Sequence, residues 1–199
     1  MELKDSKTKE NLLKAFAGES QARNRYEYAA EVAKKESLFI IQELFKYTAD
    51  QEKAHGEVYY GALKQFNGEI INISGNYPIG DYPDTLSLLR DAQRNEEKEY
   101  SDVYKGFAQV AREEGFIPIA TTFENVASIE KVHSNRFGKY VKQMENGSSF
   151  RRAYETQWMC TNCGFIYEGK DAPIQCPVCA YPQGYYIPFE DSEFKSKDQ

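Results

Sequence analysis

Both histidines of this chain follow a glutamate by three positions, as Glu52-x-x-His55 and Glu130-x-x-His133. Residues three apart on a helix share a face, so each pair brings a carboxylate and an imidazole to one point. Oxygen and imidazole donors together suit iron or manganese, whereas an all-oxygen set would suggest magnesium or calcium. All four cysteines lie towards the other end, in Cys160-Thr161-Asn162-Cys163 and Cys176-Pro177-Val178-Cys179. Two knuckles of this spacing present four thiolates, a donor set that selects zinc or iron in a tetrahedral site. Paired knuckles in a chain with no secretory features argue against two disulfides.

The Glu-x-x-His pairs interrupt helical seams. A 3-4 spacing selects Leu38, Ile41, Phe45, Thr48, Glu52, His55, Tyr59, Ala62 and Phe66 in one segment. In another it selects Phe116, Ile119, Phe123, Val126, Glu130, His133, Phe137, Tyr140 and Met144. Two further seams break in the same way, at Glu19 in the first segment and at Glu96 and Glu99 in the third. The spacing predicts four helices over about 8–35, 38–66, 84–112 and 116–145, with Asp84 capping the third and Asn67-Gly68 ending the second. Short breaks at Glu36-Ser37 and Glu114-Gly115 imply two hairpins, and the stretch 67–83 is long enough to cross the bundle between them. Five carboxylates and two imidazoles would then meet in one core. Unpaired ionised groups there cost several kcal/mol each, so the cluster calls for cations, and two metals fit the count better than one. A Glu from each of two helices plus Glu-x-x-His from each of the others is the pattern of ferritin-like di-metal bundles.

The hairpins are an internal repeat. Glu19 precedes Glu52 by 33 positions and Glu96 precedes Glu130 by 34. Glu99 corresponds to Ala22, so one side of the pseudo-twofold site carries an extra carboxylate. Glu97 faces solvent on this reading, and Arg23 either pairs with a buried carboxylate or snorkels outward.

A chain of 199 residues with net charge −6 has no basic footprint for nucleic acid or an anionic membrane. No apolar run approaches the ~18 residues of a transmembrane span, and Met-Glu-Leu-Lys-Asp lacks a signal peptide's basic start and apolar middle. A cytoplasmic protein is expected. The organisation read from composition is a bundle over 1–146, a linker over 147–156 and a small metal domain over 157–199.

The motif Trp158-x-Cys-x-x-Cys-Gly-x-x-Tyr167-x-Gly169, with Ala172-Pro173 and Cys-Pro-x-Cys, resembles a rubredoxin with a shortened middle loop, although Ala180 stands where rubredoxins usually have Gly. Such a β-ribbon module on a Glu-x-x-His bundle resembles the rubrerythrin family from about residue 8 to Phe189. The resemblance implies two non-haem irons in the bundle and one iron on Cys160, Cys163, Cys176 and Cys179, a position zinc can take in recombinant material. It implies bridging by Glu52 and Glu130, one iron on Glu19 and Glu99, the other on Glu96 and His133, with His55 as the alternate ligand exchanging with Glu99 on reduction. Tyr26 and Tyr104 match tyrosines that hydrogen-bond the family's carboxylates. The activity implied is reduction of hydrogen peroxide to water in oxidative-stress defence, as in an anaerobe. Electrons would pass from the rubredoxin-like iron to the di-iron site of a homodimer, supplied by an external NAD(P)H-dependent donor such as a rubredoxin and its reductase. The chain has no Gly-x-Gly-x-x-Gly segment of its own for the nicotinamide. The alternative is a ferroxidase or iron-handling role.

Overall fold

The computed structural model describes residues 1–192; residues 193–199, the end of the expected metal domain, lie outside the described residues. Helices α1 (Lys7–Lys35) and α2 (Phe39–Leu63) form one hairpin. Helices α3 (Thr85–Lys98), α4 (Tyr104–Glu113) and α5 (Ile117–Glu145) form the other. The crossover joining them lies against α1, where the Tyr77 hydroxyl donates to the Lys14 carbonyl at 3.2 Å. No helix among the described residues is long and apolar enough to cross a membrane.

The hairpins cap one another. Each opening helix has its own side-chain cap, Ser6 accepting from the Lys9 amide and Asp84 from the Ser87 amide. A glutamate from the other hairpin's turn adds to it. Glu114 accepts from the Lys7 and Thr8 amides, both at 2.9 Å, and from the Thr8 hydroxyl at 2.6 Å. Glu36 accepts from the Thr85 amide at 3.3 Å. A carboxylate at a helix start satisfies unpaired N–H groups and meets the positive end of the helix dipole. Each turn also needs one residue in the left-handed region, Ser37 (φ 59°) and Gly115 (φ 88°).

The apolar core is divided. One cluster holds Tyr26, Phe45, Leu89 and Phe137, and another holds Leu12, Tyr59, Tyr104 and Phe123. The Glu and His layer lies between them along the seams, so the charged groups are closed off at both ends by aromatic packing. Arg23 is not in that layer; it reaches the surface and pairs with Glu27 at 3.1 Å.

The third seam is not one α-helix, as the expected span 84–112 had it. A π-turn, Glu99–Val103, separates α3 from α4. A π-turn accommodates one inserted residue in a helix. The repeat locates that insertion: Glu19 and Glu96 are 77 positions apart, whereas Tyr26 and Tyr104 are 78 apart. The extra residue therefore falls in the segment that starts at Glu99.

The C-terminal module is a three-stranded antiparallel sheet, in the order β2-β1-β3, of β1 (Arg151–Cys160), β2 (Ile166–Asp171) and β3 (Tyr186–Pro188). Strand β1 begins inside the stretch read as linker, and Arg151 pairs with Asp171 across a register shift. Trp158 is fully buried under the sheet and donates to the Gly169 carbonyl at 3.0 Å. The module is seated on the α1–α2 turn. Tyr185 stacks on Phe39 with ring centres 4.2 Å apart, and a Cβ on Gly184 would come within 1.7 Å of the Ser37 carbonyl oxygen.

Against the cost of burial, the Thr8 hydroxyl and the Lys7 and Thr8 amides hold the Glu114 carboxyl below its usual range. A pKa depressed on folding gives stability that is complete above the unfolded-state value, about 4.3, and is lost as pH falls through the folded-state value. Glu114→Gln is expected to lower stability by about 1 kcal/mol at neutral pH. In denaturant unfolding followed across pH, its difference from wild type should shrink below about pH 4.

Candidate metal centres

Glu19, Glu52, His55 and Glu130 converge as one buried set, and Glu52, Glu96, Glu130 and His133 as a second. Within each set one donor atom per residue lies within 4.8 Å of the others. Glu52 and Glu130 belong to both, so α2 and α5 supply the shared carboxylates while α1 and α3 close the two ends. His55 Nδ1 is 2.9 Å from Glu130 Oε1, 3.1 Å from Glu52 Oε2 and 3.7 Å from Glu19 Oε2. His133 Nδ1 is 2.8 Å from Glu130 Oε2, 3.1 Å from Glu52 Oε1 and 3.7 Å from Glu96 Oε2.

The donor set fits two cations. Glu19 Oε2, Glu52 Oε1, Glu96 Oε2, both Glu130 oxygens and His133 Nδ1 are buried with no hydrogen-bond partner. Lone pairs converging at these distances without hydrogen-bond geometry are what metal ligands present, and buried polar atoms are otherwise paired. The two tyrosines reinforce this. Tyr104 donates to Glu19 Oε1 and Tyr26 to Glu96 Oε1, each reaching across to the other hairpin. Each hydroxyl thus occupies one carboxylate oxygen and leaves Oε2 aimed inward. Burial, then the neighbouring carboxylates, push both phenols well above their ordinary value, so they remain donors.

The electrostatics point the same way. Burial, above all, and then the charges of Glu52 and Glu130 raise Glu96 well above the usual carboxylate range, and burial with the same neighbours raises Glu19. Although burial disfavours its charge, Glu52 is held down at about 2 by His133 and His55. Burial also disfavours imidazolium, yet the carboxylates, Glu130 foremost, push both histidines up to about 12. A cluster that binds protons this tightly offers a site to divalent cations, which must displace them.

Glu99 stands outside both sets. It is half-buried at the start of the π-turn and lines a cavity with Tyr104, Val103 and Phe107. Burial, then Glu96 and Glu130, raise its carboxyl well above the ordinary range. His55, rather than Glu99, completes the set that contains Glu19.

One group that the seam analysis missed is Gln51. Its Oε1 lies 3.0 Å from His133 Nε2 and accepts from Arg136 Nη1 at 3.2 Å. An oxygen can only accept, so it places the proton of His133 on Nε2 and frees the Nδ1 lone pair for metal. The corresponding position of the other half is Ile129, an apolar side chain 37% exposed, so no amide stands there for His55. Gln51 is invisible to a search for seam residues because it flanks the seam.

The cysteines form the second centre. All four are free thiols, with Cys160 and Cys179 sulfurs 3.7 Å apart and Cys163 and Cys176 sulfurs 3.6 Å apart. Those spacings are far beyond a disulfide bond of about 2 Å. They match the edge of a tetrahedron of sulfurs around a metal at about 2.3 Å, which is roughly 3.8 Å. The knuckles are alike in backbone as well, with Gly164 (φ 77°) and Ala180 (φ 59°) both left-handed after their second cysteines. The Phe165 amide pulls Cys163 down, but desolvation and the three other sulfurs push it up to about 12. Four thiolates share so small a volume only around a cation.

A carboxylate and histidine layer inside four antiparallel helices, joined to a four-cysteine β-ribbon, defines a ferritin-like di-iron protein with a rubredoxin-like domain. Comparison with known proteins agrees. The rubrerythrin family model matches residues 10–141, with an overlapping match over 87–158, and the rubrerythrin rubredoxin-like domain matches 158–187. The chain belongs to the rubrerythrin family. It is 44% identical to a rubrerythrin of Clostridium perfringens, over 96% of this chain and 98% of the relative. It is 41% identical to a rubrerythrin of Nitratidesulfovibrio vulgaris, over 92% and 95% of the two chains. Fully reduced, all-ferrous nigerythrin superposes with a TM-score of 0.62 at 26% identity, covering 93% of this chain and 90% of that one. A bacterioferritin of Desulfovibrio desulfuricans, with a TM-score of 0.63 at 22% identity over 71% of this chain and 82% of that one, shares the bundle fold.

Removing the amide that fixes the His133 tautomer tests the site's asymmetry. Gln51→Leu is expected to weaken the metal bound at the His133 end by 10- to 100-fold, the usual effect of losing such a partner. Chelator competition should then resolve two unequal sites where wild type holds both metals tightly. Metal uptake at neutral pH should release protons from both imidazoles, so apparent affinity should fall on acidification, as read by a pH-indicator dye during titration with ferrous iron.

Proposed function

We propose that this protein reduces hydrogen peroxide to water in the cytoplasm, taking electrons through its four-cysteine iron from an external NAD(P)H-dependent donor. The observation that carries the reading is one chain holding a di-iron donor set with a redundant carboxylate, Glu99, together with a separate tetrathiolate site. An iron store needs no tetrathiolate centre.

Bound irons at the two sets would supply the redox capacity for a two-electron reduction. The protein's part is placement. Glu52 and Glu130 reach both metal positions, Glu19 with His55 serves one end and Glu96 with His133 the other. Tyr26 and Tyr104 hold the terminal carboxylates and keep their protons. Glu99 would be the alternative to His55 for a bound metal, since a more oxidised ion favours a carboxylate and a more reduced one a neutral nitrogen. His55 is free to yield its place because it lacks the amide tether of His133.

A homodimer fits the position of the cysteine module. The module rests on Phe39, thirteen residues before Glu52, which at 1.5 Å per residue is roughly 20 Å along α2. That separation supports delivery of electrons to the bundle of a second copy.

The test is to reduce the iron-loaded protein without oxygen, mix it with one equivalent of hydrogen peroxide and follow the visible absorbance of the cysteine iron. Rapid reoxidation is expected, abolished by removal of the bundle metals and slowed at least tenfold in Glu99→Ala. If that centre stayed reduced while the bundle oxidised added ferrous iron, the protein would be a ferroxidase.

A further inference from the structure

The cavity lined by Glu99 is both larger and differently lined than hydrogen peroxide requires. It encloses about 270 Å³ between α1, the π-turn and the crossover. A water molecule takes roughly 30 Å³ in the liquid, and pockets for small organic ligands begin near 300 Å³. Ala15, Pro78, Val103, Phe107 and the ring of Tyr77 make an apolar wall. The charged residues lining it are Lys14, Arg25 and Lys98 against Glu99 as the single acid, in a chain whose acids outnumber its bases by 31 to 25. A second cavity, about 360 Å³ between α1 and α2 and reaching Glu52, is lined by Arg23 and Lys53 with Glu27 and Glu57 at 3.1 and 3.8 Å, so its cations are matched. Of the first cavity's cations Lys14 pairs with Glu10 at 3.7 Å, which leaves Arg25 and Lys98 against Glu99. Hydrogen peroxide is neutral and has no alkyl part, so neither the apolar wall nor the cationic rim serves it.

We propose that this cavity admits organic hydroperoxides with an anionic head, such as the hydroperoxide of a medium-chain carboxylate, as a second substrate class. The inference rests on the peroxidase reading given above. The chain lies along Val103 and Phe107, the carboxylate meets Lys98 at the rim, and the O–O group reaches the Glu99 end. The hydroperoxide R–O–O–H takes up two protons and two electrons, the electrons supplied by the external donor through the four-cysteine centre. The O–O bond breaks, and the alcohol R–O–H and one water leave.

Two variants probe the cavity without touching the candidate ligands. A Cβ on Gly18 meets only a Tyr77 ring carbon, at 3.9 Å, so Gly18→Leu projects into the space and fills it. Lys98→Glu reverses one charge of the exposed rim and disturbs no packing, which keeps the test valid should Gly18→Leu fail to fold. Octanoate serves as an unreactive probe of the iron-loaded protein in calorimetry, with octanol as the uncharged control. One octanoate per chain is expected, weakened at least tenfold by Gly18→Leu, while Lys98→Glu weakens octanoate at least threefold and leaves octanol unchanged. In stopped flow, hydroperoxyoctanoate should reoxidise the cysteine iron, and Gly18→Leu should lower that rate at least tenfold relative to the rate with hydrogen peroxide. Absence of octanoate binding, or binding indifferent to both variants, overturns the inference. Reoxidation by hydrogen peroxide but not by hydroperoxyoctanoate overturns it too and leaves the peroxidase reading intact. Failure of both oxidants removes the peroxidase reading and the inference together.

Discussion

Keeping ionised carboxylates out of water is the constraint around which this bundle is arranged. Isolated, such a group costs several kcal/mol, and here Glu19, Glu52, Glu96 and Glu130 are buried within reach of one another. Two imidazoles and two phenols compensate part of that cost, and the orphaned oxygens assign the rest to cations. The remainder of the fold serves the same need. The apolar clusters lie to either side of the charged layer, keeping it dry, and Glu36 and Glu114 tie each hairpin to the start of the other. A bundle that splayed at its ends would let water in and lose its metals.

Much of this was legible in residue order. The 3-4 seams located the helices to within a few residues, because a buried stripe interrupted by Glu-x-x-His leaves few other readings. The repeat placed the hairpins and marked Glu99 as the odd carboxylate. The knuckles declared a tetrathiolate centre from spacing alone. What escaped were features fixed by three-dimensional neighbours. The intervals of 33 and 34 residues already contained the extra residue, but an interval does not say whether an insertion sits in a turn or inside a helix. Gln51 flanks its seam and acquires a role only when α5 brings His133 and Arg136 beside it. The caps at Lys7 and Thr85 come from glutamates more than forty residues away.

The two metal centres are built on different physical terms. The bundle site uses long helices whose rigidity sets ligand positions, whereas the cysteine site relies on two tight turns and a small sheet. Close approach of Gly184 to the Ser37 carbonyl leaves no room for a side chain, so the module's seat on the bundle combines backbone contact, one stacked ring pair and the ion pair of Lys139 with Asp191 at 2.8 Å. The seat is small, and the strand leading to it, β1, is paired from Arg151 onward, which limits how far the module can roam.

The π-turn has a further meaning when set against the repeat. Two duplicated hairpins about a pseudo-twofold axis would make a site whose two faces are interchangeable. One added residue, absorbed at Glu99–Val103, ends that equivalence. Beside it Glu99 stands where the first hairpin has Ala22 and lines an opening rich in cations, whereas the cavity that reaches Glu52 has its charges matched. A symmetrical object has no front or back. One inserted residue and one substituted carboxylate give this one a polarity, so that what enters by one face need not share a path with what arrives from the other.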